Sequence, residues 1–395
     1  MQQVPAALAG IRVLDLTTNY AAYAGRLLAD LGADVVRLEP PEGSPVRKLA
    51  PCQRGPNGEC SSFAHAFLDA GKRSVILDLA TAAGRERFAE LATSSDVVIE
   101  TPSASALAGK SDEFAHIAKG NPGLVLVSIS PFGRTGPYAG FEATDLTLLA
   151  AGGLLSLGGY GDTEPLAIQG EQAVLASGIH GAVAALAALY ERTQTGKGQW
   201  IDVSGQECVA FALEDAVAEW SINSHVRRRQ GDTAREAGTG VYPCKDGHIS
   251  VVAGRLGTAR AFVALTEWVA ASGTPGAAAL RAPQWQDFKF RQSSEGVARF
   301  AEIFGAFCAT RGKQELYREG QARQIAIAPV NTIADVVQDA QLAANGYFEQ
   351  QFDSALGKAL VFPGPPYRLS RTPARRRGKA PALGEHNAEL IHLST

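Results

Sequence analysis

The chain has little of what usually marks a redox, metal or nucleic-acid protein. Five cysteines in 395 residues form no CxxC pair, and their number is odd. Cys52, Cys60, Cys208, Cys244 and Cys308 are scattered, so reduced thiols are expected, with neither a disulfide framework nor a zinc site. The seven histidines include no HExxH and no i,i+4 pair, so no metal is expected. No apolar run is expected to span a bilayer. The opening MQQVPAALAG lacks a basic segment followed by an apolar one, and the chain reads as cytoplasmic, without a membrane partner. Lys and Arg number 37 against 40 Asp and Glu, a net charge of −3, so no basic field calls for nucleic acid. Neither GxGxxG nor GxxxxGK(S/T) follows a strand-like run, which leaves dinucleotide and P-loop readings unsupported. The one basic run, RRRGK at Arg375–Lys379, has two readings: a solvated turn or a phosphate patch.

What is present is an alternation. IRVLDLT (Ile11–Thr17) is apolar and β-branched and predicts a buried strand; AAYAGRLLADLGA (Ala21–Ala33) has helical spacing, with Gly32 where a helix stops. DVVRLEPP (Asp34–Pro41) is the next strand, ended by prolines, and the three form a βαβ unit. SVILDL, DVVIET, LVLVSIS and GQWIDVS continue the rhythm, with helical stretches between them. Apolar strands alternating with helices imply an α/β fold with a parallel sheet covered on both faces. Ligands of such sheets sit beyond the carboxyl ends of the strands, here the loops after Thr17, Glu39, Glu100 and Ser130. GVYPCKDGHISVVAG (Gly240–Gly254) predicts a hairpin about KDG. The length calls for two domains. A large one is expected over 1–224 and 331–395, and a small one over 225–330.

Six stretches, in order along the chain, resemble the family III coenzyme A transferases: LADLGADVVRLEPPEG, GKRSVILDL, ISPFGRTGPYAG, TDLTLLAAGGLLSLGG, LAALYERTQTGKGQWIDVS and FPGPPYRLSRTPA…APALGEH. The resemblance implies a Rossmann-like large domain built from both termini, a smaller α+β domain, and two subunits interlocked like chain links. It also implies chemistry in which an Asp attacks an acyl-CoA donor to give a mixed anhydride. Coenzyme A then returns to form an enzyme thioester, and an acceptor acid takes over the coenzyme A. Such chemistry needs a carboxylate nucleophile beside backbone donors for the oxyanion.

In that family the nucleophile follows another Asp, matched here by Asp145, at a distance of 29 residues. Counting back from TGKGQWIDVS along an unbroken helix reaches the same position, and it is Val174. The related racemases use a His before the first Asp, where this chain has Thr144. The catalytic group is therefore unassigned, with Glu171 and Asp145 as candidate carboxylates. Their bland readings are a solvated loop Glu and, for Thr144 or Asp145, a helix N-cap. His180, on a helix of small residues, reads as packed. The resemblance gives Lys72 and Arg73, in DAGKRS, a part in binding coenzyme A. The usual Asn before them is Asp69, and the family's Arg-bearing loop is replaced by IETPSASALAG, which has no Arg.

Three functions remain open. The chain is a subunit of a heteromeric transferase of the benzylsuccinate kind, lacking the Asp and paired with an Asp-bearing relative. Or it is an acyl-CoA enzyme with rearranged residues, using Glu171, alone or as a self-dimer. Or it binds CoA thioesters without turnover. In each, acyl-CoA and a small carboxylic acid are the small-molecule partners.

Overall fold

The computed structural model describes residues 6–54, 60–102, 117–229, 231, 234–254, 259–353 and 358–391. Two compact units emerge. The first comprises Met1–Leu157, Ala167–Arg227 and Ala343–Thr395; the second comprises Gly158–Leu166 and Arg228–Leu342.

In the first unit the apolar runs become one sheet. Its strands are β1 (Arg12–Leu16) and β2 (Asp34–Glu39), then, after a small β3–β4 hairpin at Cys52–Arg54 and Cys60–Ser62, β5 (Arg73–Ile76), β6 (Val97–Glu100), β7 (Val125–Ser130) and β8 (Trp200–Ser204). The order is β5-β2-β1-β6-β7-β8, and every pairing is parallel. The chain winds outward from β1 in one direction and, from β6 on, in the other. That reversal is where open α/β sheets form their ligand crevice.

Alternate side chains face opposite ways along a strand, so both faces must be covered. Val13, Val35, Val97 and Val127 pack on helices α1 (Ala22–Asp30), α4 (Asp145–Ala151) and α5 (Gln172–Thr195). Leu14, Val36, Val75 and Leu126 face Phe88 and Ala92 of α3 (Ala82–Thr93); a short α2 (Phe63–Leu68) lies between α1 and α3 in the chain. Helix α5 can lie close because its inner face is small: a Cβ on Gly181 would sit 2.4 Å from Ile129 Cδ1. This helix corrects the expectation of no membrane-length apolar run, since an 18-residue window of it reaches a mean hydropathy of 1.7. Its apolar residues instead serve the core, where Ala182, Ala185 and Ala188 are buried. Being Ala- and Gly-rich on several sides, it has the character of a core helix.

The end of the chain completes the sheet. His386 N–H donates to Ser74 O at 3.0 Å, Ile76 N–H to Asn387 Oδ1 at 2.9 Å and Gly384 N–H to Ser74 Oγ at 2.9 Å, so APALGEH shields edge strand β5. RRRGK forms a strap over the end of α1. Arg375 N–H donates to Asp30 O at 3.0 Å, and Arg376 reaches Ala66 O at 3.0 Å with its guanidinium 3.6 Å from the centre of the Phe362 ring. Cations at a helix C-terminus complement its carbonyl dipoles.

Cys52 is disulfide-bonded, which corrects the expectation of reduced thiols throughout; Cys208, Cys244 and Cys308 are free. Scattered spacing and an odd count argue against a framework of bridges, not against a single bond. The second unit carries the expected hairpin, β9 (Thr239–Cys244) and β10 (Gly247–Val252), with β11 (Ala326–Pro329) pairing to β10. Its core is aromatic, built on Tyr242, Phe262, Trp285, Phe300, Phe304 and Phe307.

Helix α6 (Gly205–Phe211) begins against the Tyr20 hydroxyl: a Cβ at Gly205 would lie 1.8 Å from that oxygen. Gly205→Ala is expected to cost about 1–3 kcal/mol, read as a lowered midpoint in chemical denaturation. Adding Tyr20→Phe should restore a substantial part, because it removes the atom that the new methyl meets. A Gly205→Ala protein as stable as wild type would show that the space is open.

Candidate active site

Helix α5 starts where sequence counting puts the reactive position, and Val174 is its third residue. Val174 is 5% exposed and belongs to the core with Tyr20, Leu148, Leu149 and Cys208. Its N–H donates to Asp145 Oδ1 at 3.0 Å, so the two positions 29 residues apart in sequence meet in space. Thr144 caps α4 in a capping box with Thr147, which leaves the neighbouring Asp145 side chain to cap α5 instead. Glu171 is the N-cap of α5 by position, but its side chain makes no capping hydrogen bond. Burial, then the negative charge of Asp145, raises its carboxyl above the ordinary value. Two further titratable side chains, Tyr20 and Cys208, belong to this core. Burial pushes the Tyr20 phenol up to about 12 and the Cys208 thiol up to about 11. His180 sits further along α5, its Nδ1 2.9 Å from Ala176 O and its ring edge-on to Phe211.

Lys72 and Arg73 have internal partners. Lys72 is 3% exposed and spends its three hydrogens on Asp15 Oδ2 at 2.7 Å, Asp69 Oδ1 at 2.9 Å and Ala22 O at 2.9 Å. Gly25 makes room for this contact, since a Cβ there would lie 2.4 Å from Asp15 Oδ2. Arg73 forks onto Asp34, with Nε–H to Oδ1 at 2.8 Å and Nη2–H to Oδ2, and lies 3.6 Å from Glu389. Arg37 joins the buried group through Asp15 Oδ1 at 3.0 Å and lies 3.4 Å from Asp69 Oδ1. Burial raises the Asp15 and Asp69 carboxyls, but the adjoining Lys72 and Arg37 outweigh it, and both end below their ordinary values.

Above this lattice, at the carboxyl ends of β1, β2 and β5, opens a cavity of about 690 Å³. Thr17, Thr18, Ser44, Lys48, Leu77 and Asp78 are among its walls. Two of the loops expected around a site, those after Thr17 and Glu39, therefore do meet. The loop after Ser130 is held elsewhere: Arg134 pairs with buried Glu100 and stacks 5.5 Å over Trp200. Most of IETPSASALAG, residues 103–109, lies outside the described residues.

The profile of CoA-transferase family III matches residues 8–387. The chain belongs to this family. It is 34% identical over 381 residues to the succinyl-CoA:(R)-benzylsuccinate CoA-transferase subunit BbsE of Thauera aromatica, covering 96% of this chain and 92% of that protein. It is 32% identical over 403 residues to the formyl-CoA:oxalate CoA-transferase of Streptomyces avermitilis, covering 97% and 94%. The crystal structure of a CAIB/BAIF family protein from Brucella suis superposes with a TM-score of 0.81 at 27% identity, over 98% of this chain and 99% of that one.

Within this family III chain, sequence reading missed the lattice partners Asp15 and Arg37 and the cavity residues Ser44 and Lys48. A signal for the first two was available: a charged residue inside each of two strands that otherwise read as fully buried. Lys72→Met is expected to lose about 3–5 kcal/mol in denaturant melts, because Asp15 and Asp69 stay buried with less positive charge. In wild type, both carboxylates stabilise the fold above their unfolded pKa near 4, and the benefit fades as pH falls through their lower folded values. The acid limb of the stability profile should therefore shift in the variant. Unchanged stability at pH 7 would show that the lattice is dispensable.

Proposed function

We propose that this chain takes part in coenzyme A transfer between an acyl-CoA donor and a carboxylic acid, as a subunit without a nucleophilic carboxylate of its own. The observation that carries the reading is Val174: buried, apolar, at the first turn of α5, with its N–H already taken by Asp145. A valine has no lone pair to attack a thioester carbonyl, and the phenol and thiol beside it are protonated at neutral pH. The nucleophile then comes from a related Asp-bearing chain. There the Asp carboxylate attacks the acyl carbonyl and coenzyme A leaves as thiolate. The thiolate attacks the Asp-side carbonyl of the mixed anhydride, forming the enzyme thioester and freeing the donor acid. The acceptor carboxylate then displaces the thiolate to form a second anhydride, and the thiolate attacks its acceptor-side carbonyl, releasing the new acyl-CoA and the Asp carboxylate.

The similarity to BbsE, named as a subunit of a succinyl-CoA:(R)-benzylsuccinate transferase, supports both the heteromer and an aryl-substituted dicarboxylic acid as acceptor. An apolar surface supports a partner chain. Helix α7 (Ala216–Asn223) buries no residue and leaves Val217, Trp220 and Ile222 exposed, the last at 80%; Phe211, at the end of α6, is exposed at 79%. Exposed apolar clusters of this kind mark interfaces, and an interlocked pairing would cover them. In this reading the cavity over β1, β2 and β5, on one side of the β1–β6 reversal, takes the nucleotide half of coenzyme A, with Lys48 as its exposed cation. A second reading keeps the chemistry in this chain through Glu171, favoured by its raised, hence more basic, carboxyl.

Co-expression with an Asp-bearing family III relative, followed by native mass spectrometry and a transferase assay, tests the first reading. The expected result is a mixed dimer or tetramer with activity, and an inactive chain when expressed alone. Two separate homodimers, with all activity in the partner's own, would overturn it.

A further inference from the structure

Arg37 is a buried guanidinium at 1% exposure whose bonds cross the floor of the cavity. Nη1–H donates to Asp15 Oδ1 at 3.0 Å and to Thr17 Oγ1 at 3.1 Å. Nη2–H donates to Thr17 O at 2.8 Å and to Ser44 Oγ at 2.7 Å. Thr17 follows β1, and Ser44 lies in the loop after β2; both line the cavity. Ser44 also caps the short turn Pro45–Lys48 through Val46 N–H at 3.4 Å, and its own N–H donates to Glu39 Oε2 at 3.0 Å. One planar cation thus ties the two walls together and, through Ser44, sets where the Lys48 turn begins. A lysine ammonium is a compact point donor and cannot reproduce this fork. The remaining lattice charges, Asp15, Asp69 and Lys72, hold the guanidinium in place from beneath.

We infer that Arg37 is a positioning residue for the cavity: it touches no ligand but fixes the spacing of the Thr17 and Ser44 walls, and so sets the affinity for the nucleotide half of coenzyme A. This rests on the reading that the cavity takes that nucleotide. A role confined to folding would lower stability without changing affinity in protein that remains folded. A direct Ser44–ligand contact would make the Ser44 and Arg37 effects independent.

The test is calorimetric titration of the purified chain with the adenosine bisphosphate half of coenzyme A. Wild type, Arg37→Lys, Ser44→Ala and the double variant are compared, each checked for folding by near-ultraviolet circular dichroism. Arg37→Lys is expected to bind roughly tenfold more weakly, Ser44→Ala several-fold more weakly, and the double variant about as weakly as Arg37→Lys alone, since both changes cut one link. Folded Arg37→Lys with wild-type affinity would overturn the inference, as would single effects that multiply in the double variant. If Arg37→Lys does not fold, Ser44→Ala decides: wild-type affinity in that folded variant overturns it. A wild-type chain that binds no nucleotide removes the reading of the cavity itself, and this inference with it. That outcome differs from one in which wild type and variants bind alike.

Discussion

Four charged side chains held away from water fix the start of this fold. Asp15 stands on β1, Arg37 on β2, Asp69 and Lys72 on the approach to β5, and each is at most 3% exposed. Isolated, any one of them would be prohibitively costly to bury. Together two anions and two cations balance, and every Lys72 hydrogen is used. Such a group adds less to net stability than an apolar core of equal volume, but it tolerates only one arrangement. Strands β1 and β2 and the segment leading into β5 are thereby tied together, and the cavity above them inherits that geometry.

The same logic separates this crevice from the start of α5. At the crevice, Thr17 and Ser44 are held by the Arg37 guanidinium. Around Val174 the surroundings are a hydrophobic core, and Asp145 accepts a hydrogen bond from its backbone N–H. A second carboxylate placed at residue 174 would face burial and the like charge of Asp145, the two effects that already raise Glu171 nearby. A helix N-terminus favours anions, and here Asp145 supplies the anion. The chain thus has the scaffold of a family III transferase with an apolar residue at the expected reactive position.

Much of the scaffold was legible in the sequence because it follows from local pattern. β-Branched apolar runs such as RVLDL and VLVSIS can do little but form buried strands, and the unbroken register from TGKGQW back to Val174 matches the 24 residues of α5. Legibility failed where the decisive contact is distant. Nothing near Lys72 in the sequence reveals that Asp15, 57 residues away, is one of its partners. RRRGK presents only charge in sequence, whereas its role depends on the end of α1 and on Ala66, more than three hundred residues earlier. Apolar length also misled, because Gly and Ala dilute α5 to the eye while leaving its mean hydropathy high.

The most direct test of the central claim is to find which carboxylate carries coenzyme A. The mixed assembly of this chain with an Asp-bearing relative is incubated with an acyl-CoA donor, the enzyme thioester is reduced with borohydride, and both chains are mapped by peptide mass spectrometry. The account predicts reduction at the partner's Asp, with the peptides bearing Glu171 and Asp145 unmodified. Reduction at Glu171 or Asp145 would contradict it and return the chemistry to this chain.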